Sequence, residues 1–406
     1  MPAWLVAQRR ASLQCARSAY IEARNDLGAG MKIQSIEPIA VSLPMKKAVT
    51  MAAETVTRAD NVLVRVESGN GFVGWGEAAS APTMTGETVA GMMAAIAHMA
   101  PALLDRAADD FAAASAAMDA RMYGNTGSKA AIEIALHDLV ARSAARPLHA
   151  LFGGKVRNRM AVLAVIGSTD VDADLREARE RFAAGYRAFK IKVGIAAPEA
   201  DAERTRAVCR MLKASGEGCL VSADANQGFS VEEALRFTAT LGDAALDFFE
   251  QPVRAHDLAG MARVAAASRV PIGADEGIHS LDDIARHHER KAAAGVSLKA
   301  IKLGGLRALL EACRLCDRLG MKVNISCKTG ESSVASAAAL HLAAVAPDLA
   351  WGLTPTNSGL AEDVTATPLS IARGHVEVPD GPGLGIEVDE RSVRRCQQDF
   401  AKRKVA

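Results

Sequence analysis

The chain has 406 residues, of which 50% are hydrophobic and 23% are charged, and its formal net charge is +1. This composition indicates a soluble globular protein long enough for a barrel and a smaller domain. Because the charge is balanced, aromatic residues make up only 4% and no apolar run approaches the ~20 residues of a membrane span, we expect neither a nucleic-acid nor a membrane partner.

Residues 1–30 form a basic, alanine-rich start with four arginines against two acidic residues. They lack the apolar core of a secretory signal. We expect them to be an extension upstream of the folded chain, either disordered or the product of a start assigned too early, with Met31 opening the first domain. A weak transit-like helix is the alternative interpretation.

Residues 31–155 predict an α+β domain of ordinary size. Strand patterns come first and alanine-rich helical patterns follow, with a turn at Gly69-Asn70-Gly71 between the second and third strands. The predicted strands cover 32–43, 61–67 and 72–77, and the predicted helices cover 87–104, 111–122 and 128–145.

Residues 156–358 change to a repeated alternation of short apolar strands and helical stretches. This pattern predicts an α/β domain with a parallel sheet, and its near-eightfold repetition favours a (β/α) TIM-type barrel over an open sheet. Because the last unit looks short, we predict (β/α)7β, and we expect residues 359–406 to pack back on the first domain. The strand candidates are 160–166, 188–193, 220–223, 246–249, 271–274, 298–303, 322–326 and 349–352.

Seven cysteines are scattered between Cys15 and Cys396. An odd number without a pairing pattern suits free thiols and favours a cytoplasmic protein. Cys313 and Cys316 have the spacing of a redox or zinc pair, but they lie in a helical pattern without a second pair. We interpret them as ordinary helix residues.

Three acidic residues close three consecutive strand candidates: Asp224, Glu250 and Asp275. They are about 25 residues apart, which is the length of one strand, one helix and two turns. Neighbouring parallel strands would bring them together at one rim of the barrel, where barrel active sites lie. Three hard oxygen ligands at one point predict a Mg²⁺ site, with Mn²⁺ as the alternative ion. Asp224 alone would read equally well as a helix N-cap, so the prediction depends on the trio.

Lysines lie in the units on either side of the acids. Lys190 and Lys192 alternate along the strand candidate before Asp224, which puts both on one face, and Lys299 and Lys302 lie one unit after the last acid. Structural ion pairs with the acids are the alternative explanation. Four lysines on two strands exceed what such pairing requires, so we predict catalysis by Lys192 and Lys299, with Lys190 as a third catalytic or carboxylate-binding residue.

Other polar residues near the same strand ends are candidates for supporting the metal ligands or touching substrate. Asn226 and Glu276 read equally well as hydrogen-bond partners of the ligands and as turn or cap residues. Lys302 and Lys328 complete this group; for Lys328 the alternatives are contact with an anionic substrate group and a solvent-facing side chain.

The chemistry follows from the charges. A proton next to a carboxylate is weakly acidic, because its removal places a second negative charge on the carboxylate. A divalent cation on the carboxylate oxygens offsets that charge, and lysines supply base and acid, a pairing known for enolase-type sites. The pattern therefore predicts an enolate intermediate of a small carboxylate substrate.

These motifs resemble the enolase superfamily, in its muconate lactonizing enzyme subgroup, over roughly residues 31–390. Lys190-Ile191-Lys192 resembles the K-x-K motif whose second lysine is an acid/base, and Lys299 matches the lysine on the opposite face. The three acids match the family's metal ligands. The helix with 130–139, followed by Pro147 and Leu151-Phe152-Gly153-Gly154, resembles the segment before the family's barrel.

The resemblance implies that the first domain caps the barrel, with loops near 45–55 and 78–87 closing over the substrate. Two departures narrow the reaction. Lys328 aligns with a position where muconate cycloisomerases carry glutamate, which puts true muconate in doubt as the substrate. Residues 352–359 lack the Asp-x-Asp by which dipeptide epimerases hold an amino group, which counts against that activity.

We therefore expect a muconate-cycloisomerase-like isomerase of a small carboxylate, cytoplasmic and homo-oligomeric. An amino-acid or N-acylamino-acid racemase or epimerase is the alternative, as is a dehydratase of the o-succinylbenzoate-synthase or cis-3-hydroxyproline type. A barrel hydrolase is disfavoured because no histidine closes a strand candidate, and a catalytically dead metal-binding relative is disfavoured because no acid or lysine of the set is missing.

Overall fold

The computed structural model describes residues 31–50 and 55–404. The prediction for residues 1–30 lies outside these ranges. Within them, no helix is both long enough and apolar enough to cross a bilayer.

The first domain is a three-stranded antiparallel sheet covered by helices, with strand order β1-β2-β3. Helix α3 is buried along most of its length and lies directly on β3. Gly74 and Gly76 permit this approach, since a Cβ atom at either position would collide with backbone carbonyl oxygens of α3. The elements are β1 (Ile33–Thr50), β2 (Thr55–Ser68), β3 (Val73–Ala79), α1 (Val89–Met99), α2 (Phe111–Arg121) and α3 (Thr126–Ser143), with 3₁₀ turns at Ala100–Ala102 and Leu148–Phe152.

The second domain is an eight-stranded parallel sheet in sequential order from β5 to β12, and a parallel bridge between Val162 and Leu353 joins its two edges. The predicted (β/α)7β barrel with a separate antiparallel capping domain is confirmed. The barrel strands are β5 (Leu163–Ile166), β6 (Ala188–Lys192), β7 (Leu220–Asp224), β8 (Phe248–Glu250), β9 (Ile272–Ala274), β10 (Gly295–Leu298), β11 (Lys322–Ser326) and β12 (Leu353–Thr354).

Helices connect the barrel strands on the outside. Several carry side-chain caps of the expected kind: Ser230 and Glu233 form a capping box at the start of α6 (Val231–Leu241), and Ser280 caps α8 (Leu281–Glu289). The helices are α4 (Val171–Ala183), α5 (Pro198–Lys213), α6 (Val231–Leu241), α7 (Leu258–Ala267), α8 (Leu281–Glu289), α9 (Ala300–Leu303), α10 (Leu306–Leu319) and α11 (Ser333–Val345). Cys313 and Cys316 are buried residues of α10, as predicted.

Three strand predictions are wrong in their bounds. The strand predicted over 298–303 ends at Leu298, and Ala300–Leu303 is instead a short helix that ends at Gly304 with a positive φ of 87°. A short apolar run with spaced lysines fits both periods, so the pattern could not separate them. The barrel strand predicted over 160–166 is split in two. Its first part, β4 (Arg159–Ala161), lies outside the barrel sheet and pairs with β13 (His375–Glu377). The last one lies at Leu353–Thr354 rather than 349–352.

The C-terminal segment crosses both domains. A 3₁₀ turn at Asn357–Gly359 follows the barrel, and the last helix, α12 (Glu390–Lys404), contacts β1 of the capping sheet. Arg403 Nη1 of this helix also lies 2.9 Å from Asp60 Oδ1 of the neighbouring strand β2. The domain limits drawn from the sequence at 155 and 358 stay predictions.

Carboxylates of the capping domain bind the N-termini of two barrel helices. Glu77 of β3 accepts hydrogen bonds from Ser332 Oγ at 2.6 Å and from the Ala335 N–H at 3.1 Å, at the start of α11. Glu133 of α3 accepts from the Leu306 N–H at 2.5 Å and the Arg307 N–H at 3.2 Å, at the start of α10. The free amides and positive dipole end of each helix attract a carboxylate, so these contacts hold the cap on the barrel.

Candidate active site

The strand ends place the three predicted acids side by side. Asp224 and Glu250 are the last residues of β7 and β8 and are paired in register, and Asp275 follows β9 directly. All three are 2% exposed or less. The sequence folds this way because each acid follows a run of apolar residues that the barrel interior buries, leaving the carboxylate at the rim.

Two lysines of β6 meet these carboxylates from one side. Lys192, paired in register with Asp224, places its Nζ 2.7 Å from Asp224 Oδ2 and 2.6 Å from Asn226 Oδ1. Lys190 Nζ lies 2.7 Å from Glu250 Oε2 and 3.8 Å from Asp224 Oδ2. Because alternate residues share a face of a strand, both ammonium groups reach the acid row.

Two lysines meet Asp275 from the other side. Lys299, the residue after β10, contacts both carboxylate oxygens of Asp275, with its Nζ 2.5 Å from Oδ1. Lys302 of α9 lies 2.6 Å from the same Oδ1 and also bonds the Asp275 carbonyl oxygen. The predicted lysines therefore flank the acids, although Lys299 and Lys302 do not share a strand as the sequence pattern suggested.

Asn226 and Glu276 extend the network behind the acids. Asn226 Nδ2 donates to Glu276 Oε1 at 3.1 Å while its Oδ1 accepts from Lys192, which makes a Lys192–Asn226–Glu276 chain. Asn226 also occupies a left-handed turn with φ of 42°, so both interpretations offered from the sequence, turn residue and hydrogen-bond partner, describe it. Glu276 Oε2 is buried without a hydrogen-bond partner among the described residues.

Burial and the crowding of charges displace the pKa values of these groups. Burial, together with the charges of Asp275 and Asp224, raises the pKa of Glu276 to about 7. Burial also raises the pKa of Glu250. For Lys299 burial acts downward, but the carboxylates of Asp275, Glu276 and Glu250 outweigh it and raise the pKa above its ordinary value.

The donor set fits a divalent cation, although the side chains are not gathered around one point. Within residues 31–50 and 55–404, no three His, Cys, Asp or Glu side chains are grouped as a metal cluster; each acid is paired with a lysine instead. Glu250 Oε1 is nonetheless buried with no hydrogen-bond partner in the described chain. Three carboxylates on adjacent strand ends, one with an unused buried oxygen, are ligands of the kind that Mg²⁺ takes.

A cavity of about 1460 Å³ opens over the acid row. Its floor contains Asp224, Asp275 and the lysines Lys190, Lys192 and Lys299. Its roof comes from the capping domain, with Met45–Thr50 of β1 and with Thr83 and Met84, in the two regions that the resemblance pointed to. The cavity is large enough for a small-molecule substrate to reach both lysine groups.

Lys328 lies two residues beyond the end of β11 and lines the same cavity, 6% exposed. Its N–H donates to Glu331 Oε2 at 2.9 Å, and its carbonyl oxygen accepts from Thr356 Oγ1 at 2.8 Å. Because Lys328 is buried in the cavity wall, its side chain does not face bulk solvent. Lys302, in contrast, is fully buried and is not part of the described cavity wall.

Sequence reasoning missed a buried polar cluster behind Lys328. Asn61 Nδ2 donates to Glu77 Oε1 at 2.7 Å and to the Gly330 carbonyl at 2.9 Å, so the capping sheet holds the loop that carries Lys328. Glu331 is buried beside it, and burial together with the charge of Glu77 raises the pKa of Glu331 from 4.5 to about 8. A charged residue inside an apolar strand pattern, as Glu77 is, was the available signal.

The raised pKa of Glu331 predicts a pH-dependent stability. The unfolded carboxyl loses its proton near pH 4.5 and the folded one near pH 8, so the folded state binds more protons in this window and stability falls as pH rises through it. Glu331→Gln is expected to be more stable than the wild type at about pH 8.5 by a few kcal/mol, since a tenfold change in proton binding is worth about 1.4 kcal/mol. Urea unfolding at pH values across the window measures this difference.

Glu203→Gln is the matched control, because Glu203 is exposed on α5. Its difference from the wild type should stay small and independent of pH. A Glu331→Gln difference that is equally flat would contradict the account of the buried cluster.

Comparison with known proteins shows which protein families the chain matches. Residues 35–153 match the mandelate racemase/muconate lactonizing enzyme N-terminal domain, and residues 173–392 match the enolase C-terminal domain-like family. Chloromuconate cycloisomerase CbnB of Cupriavidus necator is 32% identical over 372 residues, 90% of this chain and 98% of the relative. The L-Ala-D/L-Glu epimerase of Clostridium acetobutylicum is 32% identical over 86% of this chain and 96% of the relative.

A solved structure agrees with these relatives. The crystal structure of muconate lactonizing enzyme from Pseudomonas fluorescens complexed with muconolactone has a TM-score of 0.85 and 30% identity, over 91% of this chain and 100% of that one. Barrel, cap and relatives define the class: an enzyme of the enolase superfamily whose relatives are isomerases. The chain belongs to the mandelate racemase/muconate lactonizing enzyme family.

Proposed function

We propose that this enzyme moves a proton at the carbon next to a carboxylate, through an enolate, with a divalent cation held by Asp224, Glu250 and Asp275. One observation carries the proposal: Lys192 and Lys299 contact the acid row from opposite sides and line one cavity. Mg²⁺ is the proposed ion and Mn²⁺ the alternative. When bound, the cation supplies Lewis-acid stabilisation of the second negative charge on the substrate carboxylate.

The proposed roles of the side chains follow from their positions. Lys192 and Lys299 take and return protons on the two faces of the substrate. Lys190, whose ammonium group bridges toward Glu250 and Asp224, orients the carboxylates and attracts that of the substrate. Asn226 and Glu276 keep the Lys192 ammonium group in place through their hydrogen-bond chain.

The leading reaction is cycloisomerisation of a small carboxylate, with the proton delivered to or taken from one face by one lysine. It is supported by the likeness to chloromuconate cycloisomerase and to the muconate lactonizing enzyme in complex with muconolactone. Lys328 in the cavity wall supports a substrate other than muconate itself, with an anionic or acceptor group at that end. We also propose a cytoplasmic location, since the six described cysteines are free and buried; the homo-oligomer stays a prediction.

Racemisation or epimerisation is the second candidate, and the two-sided lysine arrangement favours it. A proton removed by one lysine and returned by the other inverts the carbon. The relative that is an L-Ala-D/L-Glu epimerase supports this option. Loss of a β-hydroxyl from the same enolate would instead give a dehydratase.

Deuterium exchange in D₂O separates these reactions. A panel of muconates, lactones, N-acylamino acids and β-hydroxy acids is followed by NMR with and without Mg²⁺. We expect Mg²⁺-dependent deuterium incorporation next to the carboxylate of at least one compound. Lactone formation identifies a cycloisomerase, inverted configuration a racemase, and loss of water a dehydratase. Turnover unaffected by removal of divalent cations would contradict the proposal.

A further inference from the structure

Lys302 has an unusual environment for a lysine, because it is fully buried. Its ammonium group has three acceptors: the carbonyl oxygen of Asp275, Asp275 Oδ1 at 2.6 Å and the carbonyl oxygen of Ser297 at 3.0 Å. Three donors therefore meet three acceptors, and the charge is balanced by one carboxylate. A buried ammonium group is costly unless it is paired with a negative charge. Here the partner is the carboxylate of Asp275, which Lys299 also contacts.

The two lysines that contact Asp275 differ in their access to the cavity. Lys299 is 5% exposed and lines the cavity, whereas Lys302 is absent from the described cavity wall. The short helix α9 creates this difference, because it carries the chain from Lys299 at its N-cap to Lys302 in its last turn. Because Lys302 is fully buried and does not line the cavity, we assign it no part in proton transfer.

Helix α9 is itself fixed by the capping domain. Ile301 is buried in the cluster that includes Ile132 and Ala135 of α3. Glu133, from the same helix α3, bonds the Leu306 and Arg307 N–H groups just beyond α9. The capping domain therefore fixes the backbone next to Lys302, and the carbonyl oxygen of Ser297 accepts a hydrogen bond from its ammonium group.

At this position, a lysine that transfers a proton cannot bond Asp275 and act on a substrate at the same time. Lys299 bonds both oxygens of Asp275, but to act on a substrate it must turn its ammonium group toward the cavity. A buried carboxylate that loses its only cation is strongly destabilised. A second cation on the side away from the cavity removes that obstacle.

We propose that Lys302 is a positioning residue: it orients and neutralises Asp275 so that Lys299 is free to face the substrate and an Asp275 oxygen is free for a cation. This inference rests on the proposed function, because it assigns Asp275 to the cation and Lys299 to the substrate. It makes Lys302, rather than Lys299, the residue on which cation affinity depends.

The test is Mn²⁺ affinity of the substrate-free full chain, measured by titration calorimetry for the wild type, Lys302→Met and Lys299→Met. Each variant removes one positive charge that lies against Asp275. If charge alone mattered, both would bind Mn²⁺ more tightly. Positioning predicts opposite signs: Lys302→Met weakens binding about 10- to 100-fold, the range for residues that orient metal ligands, and Lys299→Met binds at least as tightly as the wild type.

Two further measurements exclude a merely structural effect. Thermal unfolding without Mn²⁺ checks that the variants are folded. Lys302→Gln keeps an amide donor, so its Mn²⁺ affinity should lie between those of Lys302→Met and the wild type. It replaces Lys302→Met in the comparison with the wild type if the methionine variant is too unstable to study. Equal or tighter Mn²⁺ binding by Lys302→Met, or a lower melting temperature with unchanged affinity, overturns the inference. A wild type that binds no Mn²⁺ overturns the proposed function itself, which is a separate and recognisable result.

Discussion

Lys299→Met is expected to lower exchange of the substrate proton next to the carboxylate by roughly 10³- to 10⁴-fold, the upper part of the range for general acid–base catalysis. Methionine retains an unbranched apolar chain close to the alkyl part of lysine and lacks the ammonium group that contacts Asp275 and lines the cavity. Exchange is measured by NMR in D₂O at saturating Mg²⁺ on the substrate that the panel identifies.

The matched control for this variant is Lys322→Met. Lys322 begins β11 and is exposed, at the opposite end of the strand from the cavity. Its exchange rate should equal that of the wild type. A Lys299→Met enzyme that exchanges at the wild-type rate would remove Lys299 from the mechanism and leave the acid row without a base on that side.

Glu77→Ala is expected to destabilise the folded protein by about 3–5 kcal/mol, from several buried hydrogen bonds lost at once. Glu77 is fully buried and accepts hydrogen bonds from Asn61 Nδ2 and from Ser332 and Ala335 at the start of α11. Alanine removes the acceptor of these hydrogen bonds: Asn61 Nδ2 keeps the Gly330 carbonyl, but the donors at the start of α11 lose Glu77, and each buried donor left unpaired costs about 1–3 kcal/mol. Urea denaturation, with the slope compared as well as the midpoint, measures the loss.

The matched variants for this prediction are Glu77→Gln and Glu67→Ala. Gln keeps one acceptor oxygen but turns an amide donor toward Ser332, so an intermediate loss is expected. Glu67 lies on neighbouring β2, is partly exposed and pairs with Arg65 at 2.7 Å, so its removal should cost under about 1 kcal/mol. A Glu77→Ala loss no larger than that of Glu67→Ala would contradict the docking role assigned to Glu77.

The position of the three acids at the rim of the barrel was predictable because their signal is local. Asp224, Glu250 and Asp275 each follow an apolar strand, and parallel barrel order then places consecutive strand ends together without further information. Lys190 and Lys192 were predictable for the same reason, since strand alternation sets their common face.

The features that were missed depend on contacts between distant parts of the chain. Glu77 and Ser332 are 255 residues apart, and no periodicity connects them. The bounds of β10 were wrong because the residues around Lys299 suit strand and helix equally, and Gly304 with its positive φ decides in favour of a helix only once the packing is known. That short helix also moves Lys302 out of the cavity, a role that spacing alone could not reveal.

In the proposed enzyme, Asp224, Glu250 and Asp275 hold one divalent cation between two groups of lysines. The most direct test is a crystal structure of the protein soaked with Mn²⁺, with anomalous scattering recorded at the manganese edge. The account predicts a single anomalous peak at the rim of the barrel within bonding distance of all three carboxylates, with Lys192 and Lys299 on either side of it. The absence of a peak at these carboxylates at saturating Mn²⁺, or a peak bound by other residues, would contradict it.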